Sequence, residues 1–321
     1  MSALHKKFPG VEVGGSSSMK SSNIGGQAVM EGVMMRNADK YAVAVRKTDG
    51  EIVVKTEEYK GIVQNKKIRS LPIIRGVFSF IDSMVLGMST LTYSASFFMD
   101  DEEEEKDEKK ESVMMGLTIA CSVVMAVAIF MILPYFLSQL FRKFTDSTTL
   151  ITLLEGAVRL VIFFGYILLI SRMKDIQRVF MYHGAEHKCI NCIEHGMELN
   201  VENVLKSSRL HKRCGTSFLF IVMIVSIIFF LFIRIESPIW RVVFRLLLIP
   251  VIAGVSFEFI RLAGKSENKL VILLSKPGMM LQKLTTREPD ASMAEVAIAS
   301  VEAVFDWRAY LKENFGWQEK V

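Results

Sequence analysis

Four stretches of this chain are apolar over the length that crosses a bilayer core, which takes about 20 residues as a helix. They lie at Met114–Phe141, Thr149–Ser171, Thr216–Ile235 and Trp240–Leu262. The first and third are nearly pure hydrocarbon. The second carries Glu155 and Arg159 and the fourth Arg245 and Glu258, so these two are expected to turn polar faces into a bundle. Glu155 and Arg159 stand four apart with the acid first, the spacing of a pair on one helix face, which Arg245 can join.

A different period precedes them. "YAVAVRKTDGEIVV" (41–54) alternates apolar and polar positions around Thr48-Asp49-Gly50, which predicts a β-hairpin with Val43 and Val45 on one face of its first strand and Ile52 and Val54 together on the second. Residues 71–99 are apolar but broken by Arg75, Gly76, Asp82 and Gly87. They are read as an amphipathic helix in the inner interface, because a fifth crossing would carry the 12 Lys/Arg of residues 1–70 outside. Past the fourth stretch, an amphipathic segment interrupted at Pro277-Gly278 is followed by a short soluble helix. That helix starts at Asp290 or Ser292, with Glu295 at capping-box distance, and is expected to pack on the hairpin.

These patterns predict an α-helical integral membrane protein: about four transmembrane helices, amphipathic interfacial helices and a small cytoplasmic cap containing the β-hairpin. Its expected divisions are a polar tail (1–23), the cap (24–70), the interfacial helix (71–99), an acidic linker (100–113), the membrane domain (114–262) with the loop 172–215, and cytoplasmic helices (263–321).

Composition agrees, with 51% of the 321 residues hydrophobic. Charge adds orientation: 12 Lys/Arg in residues 1–70 and 8 in 172–215 place both termini and that loop in the cytoplasm. The first 25 residues hold no apolar core of the kind a cleaved leader needs. A formal charge of +5 conceals the run "DDEEEEKDEKKE" at 100–111, read as a solvated linker. Basic residues are spread rather than laid in one stripe, so the expected partners are membrane lipid and a membrane protein or second copy, not nucleic acid.

Candidate chemistry centres on "HGAEH" (183–187). Residues four apart share a helix face, so His183 and His187 can reach one ion, with Glu186 as general base on water, the H-x-x-E-H arrangement of zinc hydrolases. Zinc is the expected cofactor, other divalent metals being compatible. Further donors follow in "CINCIEH" and "HKRC": Glu194, His211 and Cys214 can complete the site, as can Glu258 of the fourth stretch. A rival reading joins Cys189, Cys192, His211 and Cys214 into a closed structural zinc site with no open position. If the second span continued as one straight helix, His183 would lie ~18 Å past Ser171. Glu258 would then meet the histidines only through a bend, which Gly184 could permit.

"GGQAVMEGVMMR" (25–36), "LPIIRG" (71–76), "YHGAEHKCINCIE" (182–194), "RLHKRCGTSF" (209–218), "PVIAGVSFE" (250–258) and "TTREPD" (285–290) together resemble the YqhQ family of bacterial membrane proteins. The likeness runs from about residue 24 to 305. It implies a multi-pass protein of the bacterial cell membrane and a metal-dependent enzyme, with His183, Glu186, His187, Cys192, Glu194, His211, Arg213, Cys214 and Glu258 on motif positions. Cys189 stands where threonine is common, which weakens the closed site. The expected function is a zinc-dependent hydrolase or processing enzyme at the cytoplasmic membrane face. The alternative is a scaffold with a structural metal that recruits export or membrane quality-control machinery.

Overall fold

The computed structural model describes residues 19–98, 108–233, 235, 237–266 and 268–318. Most of the polar tail and residues 100–107 of the acidic run lie outside the described residues. The cap is a four-stranded antiparallel meander: β1 (Gly25–Val29), β2 (Gly32–Asn37), β3 (Lys40–Arg46) and β4 (Ile52–Glu58), in that order. The expected hairpin is β3–β4, with Val43 facing Lys55 and Val45 facing Val53. Gly50 takes φ +89° in its turn, a conformation that costs glycine little. The first hairpin, β1–β2, carried no alternation strong enough to predict it.

Because side chains alternate across a strand, the sheet has two apolar faces. Val29, Met34, Tyr41, Val43 and Val45 are covered on one side by Leu86 of a long helix. Val33, Met35, Ala42 and Ala44 on the other join the main core of the cap. That long helix is α2 (Ile74–Ala95), preceded by the short α1 (Lys66–Ser70). The helices then run α3 (Glu108–Val127), α4 (Leu133–Gln139), α5 (Thr148–Ile170), α6 (Lys174–Glu194), α7 (Val201–Lys206), α8 (Gly215–Phe232), α9 (Pro238–Lys265), α10 (Lys269–Thr285), α11 (Ala291–Glu302) and α12 (Trp307–Phe315). A π-helical turn, Ala128–Ile132, links α3 to α4 just before Pro134, whose ring and missing N–H disfavour regular helix there.

Among the described residues, five helices rather than four are long and apolar enough to cross a membrane. Four coincide with the predicted stretches, and the fifth is Ile74–Phe98, with the lowest mean hydropathy of the set at 1.2. The polar interruptions that argued against it all have partners. Arg75 holds Glu258 of α9, Asp82 accepts from Tyr59 Oη and the Ile62 amide, Gly76 lies against Gly254, and Gly87 against Gln27. The far half of α2 is occupied by the sheet, where Gln27 Nε2 donates to Gly87 O and the Met30 amide to Ser94 Oγ.

α10 continues through Pro277 instead of breaking there, with Gly278 against Ser217 of α8. Asp290 is the N-cap of α11, accepting from the Met293 amide. Glu295 makes an ion pair with Arg46 of β3 at 2.8 Å rather than a capping box. The small residues Ala294 and Ala297 bring α11 onto the sheet, where Ser300 Oγ donates to Ala42 O.

Candidate metal centre

The site is built on α6, a continuous helix from Lys174 in which all but one residue from Tyr182 to Glu194 is buried. Gly184 does not bend it. A Cβ there would lie 2.0 Å from Arg287 O, so the glycine lets the backbone of 286–289 pass against the helix. That approach places Thr285 O 2.9 Å from His183 Nδ1. One turn on, His187 Nδ1 lies 2.6 Å from Arg209 O. A carbonyl only accepts, so both Nδ1–H groups donate, and each Nε2 is the atom that can give its lone pair to an ion once its own proton is lost. This outer hydrogen bonding fixes the tautomer a metal-binding imidazole needs.

The third donor comes from the loop before α8. Lys188 Nζ donates to the carbonyls of Leu205 and Ser207, and Asn191 Nδ2 to those of Ser208 and Leu210. Gln282 of α10 exchanges hydrogen bonds with His211 N and O. Held by these clamps, the loop delivers Cys214 as the N-cap of α8, its Sγ 3.3 Å from His183 Nε2. The ligand atoms of His183, His187 and Cys214 all lie within 4.8 Å of one another. Glu186 Oε2 is 3.8 Å from His183 Nε2 and 3.9 Å from His187 Nε2. Room for Glu186 exists because Gly26 of β1 has no side chain: a Cβ there would meet its Cγ at 3.2 Å.

The electrostatics suit a cation. Burial pushes the His183 imidazole down, yet the Cys214 thiolate outweighs it and holds the ring at about 9. Burial raises the Cys214 thiol, but the two imidazoles bring it well below the usual range. Two imidazole nitrogens and a thiolate with one carboxylate alongside form a donor set that suits zinc.

Not every predicted donor belongs to this group. Glu194 lies further along the same face of α6, where Arg213 Nη2 and Ser22 (amide 2.7 Å, Oγ 2.8 Å) donate to its Oε1 and His211 Nε2 is 3.4 Å from Oε2. His211 is near, its ring centroid 5.7 Å from that of His187, but its Nε2 is turned to Glu194. Glu258 is bound to Arg75. Cys189 and Cys192 sit in the core of the cap, their thiols pushed up by burial, Cys192 to about 12, and the four-ligand cysteine site does not form. Sequence reasoning passed over Ser22, Lys188, Asn191 and Gln282; buried polar residues in apolar surroundings were the available signal.

Glu194 gives a stability test. Burial alone would raise its carboxyl, but the bond to His211 and the Arg213 charge hold it down at about 2, against an ordinary 4.5. The stabilisation is therefore fully present above 4.5 and lost as pH falls from there towards 2. Glu194→Gln is expected to lower stability at neutral pH by on the order of 3 kcal/mol, a deficit that shrinks across that acid window. Melting temperatures of both proteins against pH measure it; parallel curves would refute the pairing.

The residues 71–307 match the family model described as "Protein of unknown function (DUF1385)". The chain is 37% identical to "Uncharacterized protein YqhQ" of Bacillus subtilis (strain 168) over 301 residues, which covers 90% of this chain and 94% of that protein. No solved structure matches. With a family match over most of its length and a relative aligned nearly end to end, this chain belongs to the DUF1385 family, alongside YqhQ.

Proposed function

We propose that the protein is a zinc-dependent hydrolase working at the cytoplasmic face of the bacterial membrane, with α2 packed on the cap rather than crossing, so that both termini stay on that side. One observation carries the reading: the ligand atoms of His183, His187 and Cys214 converge while Glu186 stands beside both imidazoles, and all four line a cavity of about 800 Å³. Three protein ligands with space alongside is the pattern of a catalytic rather than a structural zinc site.

Zinc bound there supplies Lewis acidity towards a substrate oxygen. The chain's own residues do the rest. Glu186, 4% exposed, takes a proton from the attacking water and returns it to the leaving group, so that water is added across the broken bond. Thr285 O and Arg209 O keep the two imidazoles aimed. Arg213 lies on the cavity wall, where its guanidinium favours negative charge on the substrate.

The rival, a membrane scaffold with a structural metal, needs neither the cavity nor Glu186, and its four-ligand cysteine site is not assembled. Glu186→Gln separates the two. The purified variant should keep about one zinc per chain, the occupancy expected of the one donor group among the described residues, while failing to complement a strain that lacks the gene. Full complementation by Glu186→Gln would remove the hydrolase and leave the scaffold.

A further inference from the structure

The cavity that holds the donor group is not a generic cleft. Its lining includes Cys214 and Gly215, at the start of the apolar helix Gly215–Phe232, and Gly264, the last residue of the apolar span Ile239–Gly264, which packs against Arg213. Three helices, α2, α8 and α9, give it an apolar side made by Phe80, Met84, Phe218, Leu219, Phe257 and Ile260. That side runs to the outer surface, where Met84 is 53% and Leu219 46% exposed. A soluble substrate has no need of an apolar passage opening between such helices.

The same cavity also carries cations, two of them at the α9 end of that wall, where Arg213 packs on Gly264, one turn from Arg261. Arg36, Arg213 and Arg261 line the cavity, against Glu186 as the lone carboxylate among the described lining residues. Arg213 is held by Glu194, but the other two have charge to spare. Arg36 donates from Nε to Ala38 O and stacks over Tyr59. Arg261 comes no nearer than 4.0 Å to Glu258, whose two oxygens are taken by Arg75. The start of α8 faces the same space through Gly215, adding the partial positive charge of a helix N-terminus.

A cavity lined by apolar side chains, three guanidiniums and the donor group matches an amphiphile with an anionic head. We propose that the substrate of this site is an anionic phospholipid of the inner leaflet, its phosphate between Arg36, Arg213 and Arg261 and its chains along the wall of α2, α8 and α9. This assignment rests on the hydrolase reading, yet binding tests it separately from catalysis. A peptide substrate would leave the three guanidiniums without a role, and a free phosphoester would leave the apolar side without one.

The test uses the full chain purified in a neutral detergent. Binding of phosphatidylglycerol, phosphatidylcholine and inorganic phosphate is compared by native mass spectrometry and thermal shift. Phosphatidylglycerol should bind at least about tenfold more tightly than the other two, and Arg261→Gln should remove about that factor. Lys276→Gln, an exposed cation of α10 away from the cavity, should change nothing. Met84→Trp, which fills the chain passage, should weaken the lipid and not inorganic phosphate. Equal binding of the two lipids, equal binding of inorganic phosphate, or an Arg261→Gln protein that binds as the wild type does would overturn the assignment. Zinc content measured on the same samples keeps the two ideas apart: lipid selectivity without metal sinks the hydrolase alone, and metal without lipid selectivity sinks the lipid alone.

Discussion

Cys214→Ser is expected to abolish stoichiometric zinc while leaving the fold intact. Serine is a strong N-cap residue, so the start of α8 keeps its hydrogen-bonding side chain. What disappears is the thiolate: the Cys214 thiol is held well below its usual range by two imidazoles, and no hydroxyl ionises under the same influence. Removing even an outer partner of a metal ligand weakens binding by about 10–100-fold, so loss of a ligand should cost about a hundredfold or more. Competition with a chromophoric chelator measures the affinity. A second readout uses the thiol itself: in a Cys121→Ser background, which removes the exposed cysteine of α3, a chelator should make Cys214 reactive to iodoacetamide. Cys189 and Cys192 should stay inert, because burial raises their thiols. Labelling of Cys214 that ignores chelation would reassign Cys214 and His183 as a metal-free thiolate–imidazolium pair.

Glu155→Gln should be the most destabilising single change in the bundle of apolar helices. Glu155, Arg159 and Arg245 are 2%, 5% and 3% exposed. Glu155 accepts from Arg159 at 2.8 Å and from Arg245 at 2.5 and 2.9 Å, joining α5 to α9. Phe230 of α8 lies under both guanidiniums, at 4.9 and 4.6 Å, and Arg159 also donates to Ser226. Neutralising the one acid leaves two cations facing each other in an apolar interior, a loss of about 3–5 kcal/mol for a broken buried pair. The melting temperature of the detergent-purified protein should fall sharply. Replacing the whole triad by apolar side chains of similar length, Glu155→Leu with Arg159→Met and Arg245→Met, should recover most of it. A Glu155→Gln protein within about 1 kcal/mol of wild type would show that the triad carries no such burden.

That triad was legible in the sequence, because i,i+4 spacing places Glu155 and Arg159 on one face and a charge inside an apolar stretch demands a partner. The β3–β4 hairpin and the placing of His183 and His187 on one helix were legible for the same reason: each depends on local periodicity. The choice among Cys214, His211, Glu194 and Glu258 was not. All four carry suitable donor chemistry, and what separates them is tertiary: Glu194 is claimed by Arg213 and Ser22, Glu258 by Arg75, and Cys214 by neither. Backbone acceptors left still less trace, since Thr285 O and Arg209 O could belong to any residue type. In α2 the sequence showed an apolar helix with interruptions but not what the interruptions meet. The Arg, Asp and Gly positions looked like breaks in an apolar run, although each has a partner on α9, β1 or the 59–62 segment.

The carbonyl that orients His183 comes from Thr285, the last residue of α10, which follows α8 and α9 along the chain. During synthesis, then, the HGAEH helix emerges long before its tautomer can be set, and α7, α8, α9 and the body of α10 are made before Thr285 arrives. A nascent chain stalled short of that point displays histidines but no competent centre. In the proposed hydrolase, metal capture would thereby come late, after the chain through Thr285 has been made, and the order of translation itself would withhold premature chemistry.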